Sequence, residues 1–95
     1  MPPAETNWFL YVLKCSDGSL YCGVTTDLHR RLQQHNSGAG ARYTRARRPV
    51  EMATSWPCTD RSAALRSEAA FKKLSRAAKM RRIAESKFVN TPTVT

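Results

Sequence analysis

Five side chains in this sequence combine types and spacings that could carry chemistry. Arg31 lies three residues after Leu28 and beside Leu32, at the border of an apolar helical stripe, while its neighbour Arg30 points elsewhere. Glu68 is worse placed for a charge: it follows Ala64 by four residues and Leu65 by three, and precedes Phe71 by three. An acid on an apolar stripe calls for a partner, a metal or an opening to solvent. The plain alternative is an ion pair, with Arg31 or with another arginine. Tyr11 and Tyr21 lie ten residues apart on two apolar stretches, where aromatic residues mostly serve a core. His35, one turn after Arg31, could donate to a phosphate or carry a proton, or could simply complement a helix C-terminus. Arg42, Arg45, Arg47 and Arg48 put four guanidinium groups within seven residues, with Tyr43 interleaved. That composition suits phosphates and stacked bases, although a solvated basic loop has the same composition.

These side chains need elements to hold them. Trp8 to Cys15 is apolar and aromatic and reads as a strand buried on both faces. Ser16-Asp17-Gly18 is turn chemistry, and Ser19 to Val24 reads as a second strand, so the pair predicts a β-hairpin. Two registers are open. A two-residue Asp17-Gly18 turn would put Tyr11 and Tyr21 on opposite faces. A three-residue Ser16-Asp17-Gly18 loop would put Tyr11, Leu13, Tyr21 and Gly23 on one face, and glycine at the third loop position favours it. Gly23 is either a bulge glycine or a place where something approaches the sheet closely. Thr25-Thr26-Asp27 offers caps for a helix to about Asn36, ended by Gly38 and Gly40. Residues 42–48 form a basic loop or short helix, and Pro49 opens a third strand to Cys58. Asp60 caps a helix through Leu74, and Ser75 caps a basic one from Arg76 to about Lys87. The order ββα then βαα predicts an α/β (α+β) domain with a small sheet.

Composition bounds the function. Ninety-five residues make one domain, divided here as a flexible lead-in at 1–7, a folded unit at 8–87 and a mobile tail at 88–95. Cys15, Cys22 and Cys58 are odd in number and show no CxxC spacing, which argues for free thiols over a disulfide scaffold or a zinc site. No apolar run is long enough for a membrane span and no secretory signal opens the chain, so a cytoplasmic monomer is expected. Sixteen basic residues against seven acidic give a net charge of +9. All of that excess falls in residues 42–95, whereas Lys14, Arg30 and Arg31 balance Glu5, Asp17 and Asp27 in the first part of the chain. A basic half beside a neutral half points to a polyanion, foremost nucleic acid.

The same positions form an ordered pattern. Phe9-Leu10-Tyr11, then Tyr21-Cys22-Gly23, then the helix from Thr26 to Asn36 containing Arg31 and His35, then Ala41-Arg42-Tyr43-Thr44 and the Glu68 helix, together resemble the GIY-YIG nuclease superfamily. The likeness is strongest to its small bacterial single-domain proteins and runs to about residue 83. Phe9 and Cys22 depart from the usual triplets at positions without reactive groups. The resemblance implies a three-stranded antiparallel sheet flanked by helices, and metal-dependent hydrolysis of nucleic-acid phosphodiesters, with DNA ahead of RNA as substrate. It implies Tyr11, Tyr21, Arg31, His35 and Glu68 as catalytic residues, with Glu68 holding Mg²⁺ or Mn²⁺. Arg42, Tyr43, Arg45, Arg47, Arg48 and Lys72 are the expected nucleic-acid-binding residues. Two functional classes follow: a nuclease that nicks one strand, or a nucleic-acid-binding module that kept the scaffold with little or no cleavage.

Overall fold

The computed structural model describes residues 7–90, with side-chain surroundings through Ser86. Strands β1 (Trp8–Lys14) and β2 (Leu20–Thr25) form the expected antiparallel hairpin. Cys15 N donates to Ser19 O and Gly18 N to Cys15 O, both at 2.9 Å, and Gly18 takes φ 86°, where only glycine is unstrained. The loop is therefore the three-residue Ser16-Asp17-Gly18. Tyr11 pairs with Gly23 and Leu13 with Tyr21, so both tyrosines share a face. Strand β3 (Glu51–Cys58) pairs antiparallel with the other side of β1, giving the order β2-β1-β3. Pro57 is tolerated because β3 is an edge.

Four helices cover the sheet. Helix α1 (Leu28–Ser37) starts where the Asp27 carboxylate accepts from Arg30 N at 3.0 Å and stops at Gly38, in the left-handed conformation with φ 91°. It lies over the face that gathers Tyr11, Leu13, Cys15 and Val50, flanked by Leu28, Leu32 and Met52. The single turn α2 (Arg42–Arg45) follows. Helices α3 (Arg61–Lys72) and α4 (Arg76–Asn90) pack on the opposite face, where Leu10, Val12 and Cys22 meet Phe71 and Ile83. The expected caps hold: Asp60 accepts from Ala63 N at 2.8 Å, and Ser75 Oγ from Ala78 N at 3.1 Å. Helix α4 runs three residues past its expected end at Lys87, because no glycine or proline interrupts the sequence before Pro92. Apart from Asn7 and the helical backbone of 88–90, the expected lead-in and tail lie outside the described residues. All three cysteines are free thiols, two of them buried.

One side chain substitutes for a stretch of sheet. Asn36 Nδ2 donates to Val50 O at 2.9 Å, and Val50 N donates to Asn36 Oδ1 at 2.8 Å, which fastens the end of α1 to the approach to β3. Asn36→Ala should leave both groups of the buried Val50 backbone without these partners and cost about 1–3 kcal/mol. The urea midpoint should fall with an unchanged m-value, and an unaltered midpoint would show that this clasp carries no stability.

Candidate active site

The centre of the site is the phenol of Tyr11, on the middle strand and only 1% exposed. Its ring lies across the neighbouring strand, directly over Gly23. A Cβ at that position would sit 2.6 Å from Tyr11 Oη and 2.9 Å from Cζ. Gly23 thus serves close approach. Helix α1 supplies the hydroxyl's partners from one face, four residues apart. Arg31 Nε donates to Tyr11 Oη at 3.2 Å, and His35 Nε2 lies 2.9 Å from the same oxygen. Arg31 Nη1 donates to Gln34 Oε1 at 2.9 Å, which fixes the plane of the guanidinium and leaves Nη2 for another acceptor.

The chain of bonds continues behind His35, which is fully buried. Its Nδ1 lies 2.7 Å from Thr44 Oγ1, and Thr44 Oγ1 donates to Ala41 O at 3.0 Å. A hydroxyl has one proton, and Thr44 spends it on Ala41. We therefore assign the His35 proton to Nδ1, which donates to Thr44, so that Nε2 accepts the Tyr11 O–H. Ala41 N, 3.5 Å from Nδ1, is too distant to compete. The backbone passes so close over the ring at Gly40 that a Cβ there would collide with His35 Nδ1 and sit 2.8 Å from Cγ. Tyr21 closes the near side: its ring meets His35 edge-on with centroids 5.3 Å apart and stacks on Tyr43 at 5.9 Å. No group among the described residues hydrogen-bonds the Tyr21 hydroxyl.

Burial sets the protonation states. It raises Tyr11 above the usual tyrosine value, with the hydrogen bond and charge of Arg31 opposing and the charges of Tyr21 and Glu68 adding to the rise. It lowers His35 to about 4, and the Arg31 charge adds to that. Near neutral pH both groups are uncharged, as the bond between them requires.

Tyr11, Tyr21, Arg31 and His35 are thus brought together directly. Glu68 comes from the other layer. It sits on α3, which packs against β1 and β2 from the opposite face. Its negative charge is felt at Tyr11 and at Cys22. The half-buried carboxylate pairs with Lys72 Nζ at 3.4 Å, one turn along the helix, so neither Arg31 nor another arginine is its partner. Among the described residues no three His, Cys, Asp or Glu side chains cluster. A divalent ion would therefore be held by the one carboxylate of Glu68. That fits Mg²⁺, which keeps several waters and takes few protein ligands.

The basic stretch divides. Arg47 is a brace: Nε donates to Asp17 Oδ2 at 3.1 Å, Nη1 to Tyr43 O at 2.9 Å, and the guanidinium lies 3.9 Å over the Tyr43 ring. Arg48 donates to Arg45 O at 2.9 Å and to Asn36 O at 3.4 Å. Both residues, expected to hold nucleic acid, thus have donors on carbonyls and on Asp17. Tyr43 likewise has its ring engaged by Tyr21 and Arg47. Arg42 and Arg45 are exposed with no side-chain hydrogen bond among the described residues, and Lys72 is exposed beside Glu68. Sequence reasoning missed Thr44, Gly40 and Gln34. The available signal was a threonine set among arginines and a second glycine just past a completed helix cap.

Comparison with known proteins agrees with this geometry. The family model for the GIY-YIG catalytic domain matches residues 7–82. The UPF0213 protein XAC3202 of Xanthomonas axonopodis pv. citri is 55% identical over 73 residues, covering 77% of this chain and 72% of its own length. The UPF0213 protein YhbQ of Escherichia coli is 48% identical over 81 residues, covering 85% of this chain and 81% of its own. The solution NMR structure of the protein EF2693 of E. faecalis superposes with a TM-score of 0.57 at 38% identity, covering 100% of this chain and 99% of that one. No helix among the described residues is long and apolar enough to cross a membrane. With a tyrosine from each strand of the hairpin set against the arginine and histidine of the first helix, the chain belongs to the GIY-YIG nuclease superfamily, among the small bacterial UPF0213 proteins.

Proposed function

We propose that this protein is a divalent-metal-dependent endonuclease that hydrolyses phosphodiester bonds of nucleic acid in the cytoplasm, with DNA as substrate and one strand cut at a time. The observation that carries this reading is the buried chain Arg31–Tyr11–His35–Thr44, which ends in a guanidinium with a donor to spare. In-line hydrolysis needs a proton acceptor for the attacking water and donors on the phosphoryl oxygens. Arg31 Nη2 is the donor to the scissile phosphate, a role in which the planar fork outperforms an ammonium. Tyr11 is a neutral phenol at rest, so it accepts a proton from water at Oη only as its own passes to His35 Nε2. A phosphate against Arg31 makes that transfer less costly, because the Arg31 charge adds to burial in disfavouring the imidazolium. Glu68 would hold Mg²⁺ or Mn²⁺, and the bound ion would supply positive charge for the phosphoryl and leaving oxygens. Tyr21 offers its hydroxyl at the rim and keeps His35 from turning. Arg42, Arg45 and Lys72 hold the backbone of the bound strand.

Glu68→Gln keeps shape and hydrogen bonding but removes the charge. It should abolish cleavage while leaving nucleic-acid affinity and melting temperature nearly unchanged. Arg31→Lys should slow cleavage about 10²-fold or more, as loss of a transition-state donor does. Tyr11→Phe should lower the rate as well. The assay is nicking of labelled substrates in Mg²⁺, read beside binding in chelator. Full activity in Glu68→Gln would overturn the assignment, and tight binding without cleavage by the parent would favour the binding module.

The state of His35 can be checked without any substrate. The unfolded chain binds its proton near pH 6.5, whereas the folded protein does so only near 4. Stability should therefore be level above about pH 6.5 and fall as pH drops from 6.5 to 4, by up to about 3 kcal/mol. Urea unfolding at a series of pH values measures this. Thr44→Val, which strands the Nδ1 proton, should lower stability at every pH, whereas Thr44→Ser should restore it; a parent whose stability does not change over this window would refute the buried neutral histidine.

A further inference from the structure

A cavity of about 280 Å³ opens along the β2 edge, beside the proposed site. Its deepest lining is apolar: Cys22 and Phe71 are 5% and 3% exposed, with Leu20 next to them. Tyr21 and the more exposed Tyr43 form an aromatic wall. Lys72 and Lys79 supply the only charges of the lining among the described residues. Lys79 has no carboxylate partner among the described residues and stands 5.9 Å from the Phe71 ring centroid. The catalytic scheme uses neither Leu20, Cys22, Phe71 nor Lys79.

An apolar, aromatic hollow with ammonium groups in its lining matches a flat ring system that carries an anion. The volume is at the small end for ligand pockets, enough for one base with its phosphate and far too small for a duplex. A base inside a duplex is stacked on both faces and cannot enter; it must first leave the stack. We infer that this cavity takes one unpaired DNA nucleotide, with its base against the apolar floor of Leu20, Cys22 and Phe71 beside the Tyr21–Tyr43 stack and its phosphate on Lys79 and Lys72. The substrate is then a single strand, flap or loop, and an unpaired nucleotide adjoins the bond to be cut. The choice of DNA over RNA is carried from the nuclease reading above, and the matching RNA is the arm of the test that checks it. This inference rests on the nuclease reading above, because it places the bound strand beside Tyr21 and Glu68.

The test uses the full chain in EDTA, so that binding is read apart from cleavage. A DNA oligonucleotide containing 2-aminopurine is titrated as a single strand and annealed to its complement, at one salt concentration. The single strand should bind about tenfold more tightly or better, with a change in 2-aminopurine emission on capture. Leu20→Trp fills the cavity and Lys79→Glu reverses its charge; both should reduce the preference about fivefold or more. Lys79→Glu decides the matter alone if Leu20→Trp does not fold. Equal affinity for the two forms, or a preference intact in Lys79→Glu, would overturn the inference, and tighter binding of the matching RNA would overturn the choice of DNA. Duplex cleavage without preference for unpaired strands would defeat the cavity assignment and spare the nuclease. Capture of unpaired DNA without cleavage of any substrate would support the cavity and defeat the nuclease.

Discussion

A phenol buried in the middle strand of a three-stranded sheet must have its hydroxyl satisfied from within, because an unmet hydroxyl in such a place costs a few kcal/mol. Much of the first half of the chain answers that demand. Gly23 gives the ring room. Helix α1 presents Arg31 and His35 one turn apart, so that both reach the same oxygen. His35, once buried, brings a second nitrogen that needs a partner, which Thr44 provides. Thr44 in turn depends on the Ala41 carbonyl and on a backbone that can pass over the imidazole at Gly40. Each polar group taken out of water is answered by the next, and the series ends on a backbone carbonyl with no buried side-chain nitrogen or oxygen left unmet among the described residues.

The thinness of the sheet lets its two faces cooperate. Tyr21 and Cys22 are neighbours on the β2 edge and point to opposite layers. The first packs against His35, and the second belongs to the core under Phe71. A carboxylate from α3 therefore influences a phenol held by α1, although the two helices lie on different sides. Three strands with a hydrophobic face on each side are close to the minimum for an independent sheet, and the economy leaves reactive groups from both layers near one edge.

What the sequence made legible was local. Gly18 in the third loop position favoured the hairpin register that the structure adopts, and through it the shared face of the two tyrosines. Asp27, Asp60 and Ser75 announced the helix starts because capping acts over three residues. Arg31 stood out at the edge of its stripe for a sound reason, since its guanidinium bonds a buried group. Less legible were contacts whose existence depends on how a turn brings its ends together, such as Thr44 with His35 nine residues earlier. Charge counting could not say that Arg47 and Arg48 would also donate to nearby carbonyls. The partner of Glu68 was within reach of simple spacing, since glutamate followed by lysine four residues on is a familiar helical pair. The apolar stripe drew attention to arginine instead.

Strand β1 contributes Leu10 and Val12 to one core and Tyr11 and Leu13 to the other, and both remaining strands hydrogen-bond to it. Neither layer can loosen alone without disturbing the strand that the other is built on. As the central strand, β1 should have amides among the last to exchange with solvent. The Tyr11 phenol sits on that strand, so a loosening of either core disturbs the strand that places it. Changes that soften either core would therefore reach the Tyr11–His35–Thr44 bonds, even where they lie far from them.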